Sequence, residues 1–234
     1  MDRLRSLWDF NDLDASEHRF REQLGQERDD AGRGDVLTQL ARIEGLRGNF
    51  DECARLLDEA EALGSGVRVP LERGRMFRSS GDVARAYPLF VEAFERADDA
   101  YLAGDAAHMA ALADPAGPRV WTERGLELAD READAAYWRG PLLNNLGWHL
   151  HGSGDLDGAI AAFEQALAAR VQDPGKPYAI EIAHHALAVG LRTAGRPGEA
   201  LEHAQHAVDW ARREGVSDPD FDEELAACRA ALAR

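Results

Sequence analysis

The chain has 234 residues, 27 Lys+Arg against 43 Asp+Glu, and a formal net charge of −16. That balance argues against non-specific nucleic-acid binding and against docking on an anionic membrane surface, because both rely on Lys and Arg to neutralise phosphates. Hydrophobic residues make up 45%, enough for a buried core in one or two domains, and no apolar run approaches the roughly 18 residues of a spanning helix.

The opening MDRLRSLWDF lacks the apolar centre of a signal peptide. The two cysteines, Cys53 and Cys228, lie far apart without CxxC spacing. They read as free thiols in a reducing compartment, so a cytoplasmic protein is expected. One lysine, Lys176, stands among 26 arginines, a skew that suits a GC-rich bacterial genome.

Apolar spacing along the chain is helical, Gly and Pro gather in the connections, and no useful alternating strand pattern appears. Residues 1–30 predict a lone N-terminal helix. There NDLDASEHRFREQL parallels the later DLDGAIAAFEQAL, with Phe20 standing where Phe163 stands. Residues 34–66 predict a helical pair around Leu40-Ala41, Gly48, Cys53, Leu57 and Ala60. Residues 67–100 carry Gly74, Phe77, Gly81-Asp82, Ala86, Phe90 and Ala93 in the same frame, with Gly81 falling 33 residues after Gly48.

Residues 103–138 keep the frame through Ala110, Gly117, Leu126 and Ala129, but Pro115 and Pro118 occupy the turn and leave its geometry open. Residues 140–173 show the pattern most fully: Leu146-Gly147, Gly154-Asp155, Ala159, Phe163 and Ala166. An insertion around Val171 to Pro177 precedes residues 181–214, which carry Leu187-Ala188, Leu191, Gly195, Ala200, Ala204 and Ala207. Residues 217–234 place Phe221, Leu225, Cys228 and Leu232 on one helical face and polar groups on the other, the pattern of a capping helix.

These recurring positions resemble the tetratricopeptide repeat, two antiparallel helices in about 34 residues, from about Asn11 to about Gly215. The resemblance implies an all-α, right-handed solenoid of helical hairpins in a single domain spanning 1–234, closed by the capping helix. It also implies that the first helix of each hairpin lines a concave groove. Threading the family frame puts Arg42, Arg68, Arg75, Arg78 and Arg192 at groove positions against two aspartates, Asp35 and Asp114. The groove then carries +3 and the remainder −19. The same frame places Asn144, Trp148 and His151 on one helix and His185 on the next.

An arginine fork fits a carboxylate or phosphate two-pronged, so the expected function is a scaffold or adaptor holding an acidic or carboxylate-ended protein or peptide. The competing reading is that the arginine stems cover apolar helix surface with their heads in water. The lysines of the chaperone-tail clamp known in the family are absent, so a chaperone tail is not expected. A pocket around Trp148, Asn144, His151 and His185 would instead suit a small molecule, as a sensor or an enzyme, against a bland reading of Trp148 as packing.

No phosphate loop, dinucleotide fingerprint, nucleophile elbow or HExxH motif occurs. No catalytic residue, metal or cofactor is therefore expected, even though His149, His151, His184, His185, His203 and His206 cluster late in the chain. Self-association is a further expectation, through the apolar pair Leu7 and Trp8 and the ends of the stack.

Overall fold

The computed structural model describes residues 3–172 and 177–233. Among them are twelve α-helices, two short 3-10 helices and no strand. The chain divides into two compact units, Met1–Ala135 and Ala136–Arg234.

In the first unit, α1 (Leu13–Gln26) precedes three hairpins. These are α2 (Asp30–Leu46) with α3 (Phe50–Ala62), α4 (Arg68–Ser79) with α5 (Val83–Arg96), and α6 (Ala100–Ala113) with α7 (Arg119–Arg131). Partners within each hairpin pack together, and α4 also packs against both α2 and α6. Helix starts are set by aspartate caps: Asp12, Asp29, Asp82 and Asp99 each accept from a backbone N–H one turn on. The Asp29 cap explains why α2 begins four residues before the expected 34.

The proline-bearing turn of the third hairpin keeps the hairpin intact. Asp114 Oδ1 accepts from the Ala116 N–H at 2.8 Å, Gly117 adopts φ 97°, and Pro118 caps α7. Proline has no N–H to satisfy and sits at a helix start without loss. Leu7 and Trp8, expected as a sticky surface pair, pack instead against the first core.

The second unit holds α8 (Arg139–Ser153) with α9 (Leu156–Val171), α10 (Pro177–Thr193) with α11 (Pro197–Glu214), and the capping helix α12 (Pro219–Leu232). Helix α10 packs on α8, α9, α11 and α12. Asp173 to Lys176 of the expected insertion lie outside the described residues. The turn after α8 needs Gly154 at φ 86°, a left-handed conformation that favours glycine. The other expected turn glycines, Gly48, Gly81 and Gly195, share it.

Phe20, Phe90 and Phe163 are fully buried in the equivalent slot of three second helices. Opposite two of them stands a glycine: a Cβ on Gly74 would meet the Phe90 ring, and one on Gly147 the Phe163 ring. These two hairpins close by seating an aromatic ring on bare backbone. Apolar faces too small to make a core alone thus become one by stacking.

Candidate functional site

The residues expected to line a groove are distinct in chemistry in the two units. In the first unit, Arg75 on α4 reaches two carboxylates. Its Nη1 donates to Glu72 Oε1 one turn earlier, and its Nη2 donates to Asp105 Oδ1 on α6 at 2.5 Å. Glu72 and Asp105 are only 3% and 5% exposed. Burial alone would lower the Arg75 pKa, but Asp105 and Glu72 outweigh it and hold the guanidinium above its ordinary value.

Arg42, on α2, is placed differently. Its Nη1 lies 3.8 Å from Glu72 Oε1, and its guanidinium carbon lies 5.3 Å from both the Trp8 and Phe10 ring centroids. Those two rings stack on each other at 4.7 Å, and Trp8 Nε1 donates to Gln39 Oε1 at 2.9 Å. Cation–π contact holds the Arg42 head, yet among the described residues no acceptor hydrogen-bonds to it. Desolvation, and then the nearby Arg75, push its pKa below the usual arginine value.

Arg42, Arg75 and the exposed Arg78 line one cleft of about 190 Å³ with Leu46, Glu72 and Met109. Arg78 has no carboxylate partner among the described residues. Three arginines against Glu72 and Asp105 leave this site one positive charge in excess. Glu72 Oε2 is buried without a hydrogen-bond partner, a state that costs roughly 1–3 kcal/mol unless something fills it. Cys53 also lines the cleft; burial pushes its pKa up to about 12, so the thiol stays protonated and unreactive.

Arg68 belongs elsewhere. It is buried, its Nε lies 3.5 Å from Asp35 Oδ1, and it lines a separate cleft of about 580 Å³ with Arg96, Asp98 and Asp99. The expected groove charge of +3 is therefore corrected: several arginines counted in it are paired internally. The repeat frame counts outward positions and passes over Glu72 and Asp105. A glutamate three residues before Arg75, and an aspartate 30 residues after it on the next first helix, were the available signals.

In the second unit, Trp148 is 37% exposed and stands edge-on to Phe163 at 5.2 Å and to His151 at 5.7 Å. His151 Nε2 meets Thr193 Oγ1 of α10 at 3.1 Å. Asn144 Oδ1 and His185 Nδ1 are buried without partners. His185 lies against the Phe221 ring at 5.5 Å, and desolvation lowers its pKa. Arg192 is committed to the capping helix: its Nε and Nη2 donate two-pronged to Glu224 at 2.6 and 2.8 Å.

Three of the late histidines, His184, His203 and His206, gather between α10 and α11. His184 Nδ1 faces His203 Nδ1 at 2.8 Å, His184 and His206 stack at 4.0 Å, and His206 Nδ1 meets the buried Glu181 Oε2 at 2.8 Å. Among the described residues no group of three His, Cys, Asp or Glu is disposed to hold a metal ion. Two ring nitrogens in contact share one proton, so doubly protonating His184 and His203 breaks their bond. Desolvation, then His206 and His203, lower the His184 pKa to about 4, and desolvation lowers His203 despite Glu202, Glu164 and Glu199 nearby.

A folded-state histidine pKa below the unfolded value of ~6.5 favours the neutral ring, so the stability it confers is complete above pH ~6.5 and is lost as pH falls toward 4. Glu181, raised by burial against the pull of His206 and Arg213, acts in the opposite sense and costs stability as pH rises through its folded value. We expect thermal denaturation of wild type to lose on the order of 2 kcal/mol more than His184→Gln between pH 6.5 and 4. Parallel pH profiles for the two proteins would show that His184 is not the acid-labile group.

No curated protein matches the chain. A solved tetratricopeptide repeat protein from Parabacteroides merdae ATCC 43184 is similar over 97% of this chain and 96% of that chain, at 13% identity and a TM-score of 0.48. The family model described as tetratricopeptide repeat matches residues 142–178, the segment of α8, α9 and the start of α10. Residues 142–178, matched by that model and folded with the Phe163 ring seated on Gly147, are similar to a tetratricopeptide repeat.

Proposed function

We propose that the protein is a scaffold that holds an acidic or carboxylate-ended protein segment in the first-unit cleft. The observation that carries this reading is Arg42: a desolvated guanidinium, beside a second arginine, with no hydrogen-bonded acceptor among the described residues. An arriving carboxylate would relieve both the desolvation and the repulsion. Arg78, exposed at the same cleft, would supply a second fork, and the acidic remainder of the chain would keep the scaffold soluble. Cys53 and Cys228 are buried and unpaired, which supports a reducing, cytoplasmic setting. No helix among the described residues is long and apolar enough to cross a membrane.

The test is fluorescence polarisation with labelled peptides rich in Asp and Glu or ending in a free carboxylate, against matched peptides with amide ends and Asn or Gln. The acidic and free-acid peptides should bind, more weakly as salt rises. Arg42→Gln with Arg78→Glu should weaken them about tenfold or more, the scale of one charge-assisted hydrogen bond. Equal affinity in wild type and variant would dispose of the reading.

The unpartnered Asn144 Oδ1 and His185 Nδ1 on neighbouring first helices favour a second reading, a small-molecule pocket beside Trp148. Binding in the same panel that tracks Trp148 rather than Arg78 would select it.

A further inference from the structure

The cleft holds more than a cationic pair. Beside the unbonded Arg42 head lies Glu72 Oε2, an acceptor shielded from water and unpartnered, on a side chain 3% exposed. Each carboxylate gives one oxygen to Arg75, but only Glu72 has its other oxygen buried without a partner among the described residues. The site thus offers unfilled donors and an unfilled acceptor within one small space, Arg42 Nη1 lying 3.8 Å from the other Glu72 oxygen. A plain anion would satisfy only the donors.

The walls add a third condition. Leu46 is 52% exposed at this cleft, and Met76 and Met109 close it from two helices. Methionine thioethers adapt to varied apolar shapes. The volume of about 190 Å³ slightly exceeds the ~150 Å³ cavity that takes a benzene ring. It suits one residue-sized group, not a long segment.

Resting on the carboxylate reading above, we propose that this cleft recognises a single apolar α-amino-acid unit, through its carboxylate and the N–H on the same carbon together. The carboxylate meets Arg42 and Arg78, the N–H donates to Glu72 Oε2, and the side chain lies on Leu46, Met76 and Met109. Arg42 has no hydrogen bond to surrender when it turns toward the carboxylate, only its 3.8 Å contact with Glu72 Oε1 and its two ring contacts. The unit comes either as a free amino acid, whose ammonium is the donor, or as the last residue of a chain, whose amide N–H is the donor.

Isothermal titration of the full chain with four small probes tests this. L-Leucine offers carboxylate and ammonium, N-acetyl-L-leucine carboxylate and amide N–H, 4-methylpentanoate the carboxylate alone, and L-leucinamide the ammonium alone. Leucine or N-acetyl-leucine should bind with a Kd of about 1 mM or tighter. 4-Methylpentanoate and leucinamide should each bind at least about tenfold more weakly, one hydrogen bond to a charged group being lost in each case. Preference for leucine assigns the free amino acid, and preference for N-acetyl-leucine assigns a chain end.

Equal binding of 4-methylpentanoate, or no binding of any probe up to about 10 mM, overturns the proposal. These probe results stand on wild type alone, so they hold even where a variant misfolds. Glu72→Gln replaces the free acceptor by a donor or removes the Arg75 pair, and should abolish the advantage of the N–H-bearing probes. If acidic peptides bind through Arg42 and Arg78 while 4-methylpentanoate matches leucine, the inference fails and the scaffold reading survives.

Discussion

Replacing Arg75 with Met should cost about 3–5 kcal/mol in urea denaturation, the loss typical when one partner of a buried ion pair is removed. The side-chain stem is kept, so the loss isolates the charge. What remains is Glu72 and Asp105, both nearly inaccessible to water, with only the longer contact from Arg42 to offset them. Adding Glu72→Gln and Asp105→Asn to Arg75→Met should recover much of the loss, because neutral amides cost less to bury than unpaired carboxylates. A cost below about 1 kcal/mol for Arg75→Met would mean that the network is solvated in solution. It follows that Arg75 is a poor place to probe binding: a charge reversal there would unfold the first unit's centre and mimic loss of a ligand contact. Arg78, exposed and without a carboxylate partner among the described residues, avoids that ambiguity.

The second large effect concerns the hairpin of α8 and α9. Phe163→Ala should cost about 3–5 kcal/mol, as expected for an aromatic ring removed from a full core. Gly147→Ala should cost about 1–3 kcal/mol through overpacking, although alanine is the better helix former, because the new methyl would enter the space of the Phe163 ring. Combined, the two changes should cost less than their sum, since the methyl then occupies part of the space the ring vacates. Gly190 lies on the other side of the same ring, where a Cβ would sit 3.2 Å from Phe163 Cδ2, so the vacated space is shared between α8 and α10. Strict additivity would show that the ring does not rest on Gly147.

Legibility in the sequence followed the length scale of each interaction. Gly147, Phe163 and the turn glycines repeat along the chain, so a periodic search finds them without coordinates. Phe20 matches Phe163 through the shared Asp-Leu-Asp of Asp12–Asp14 and Asp155–Asp157 and through Leu24 and Leu167, and both rings are fully buried. The cleft was only half visible. Arg42, Arg75 and Arg78 emerge from the frame because they occupy outward positions, whereas Glu72 and Asp105 face between helices, where the frame expects core. Trp8 and Phe10 precede the first helix and obey no repeat at all. Arg192 shows the complementary failure: it occupies an outward position by register, but the capping helix brings Glu224 to it, and a cap has no equivalent in the preceding repeats.

The aromatic shelf beneath Arg42 has a practical side. Trp8 and Phe10 come from the stretch before α1, which is held by the Trp8 indole bond to Gln39, by Ser16 and Arg19 of α1 bonding to the backbone of Asp9 and Leu7, and by packing of Leu7 and Trp8 on the first core. The Arg42 head is thus positioned by rings from a leading strap that no repeat contains. An affinity handle or a fluorescent fusion joined ahead of that strap would load the very rings that position Arg42.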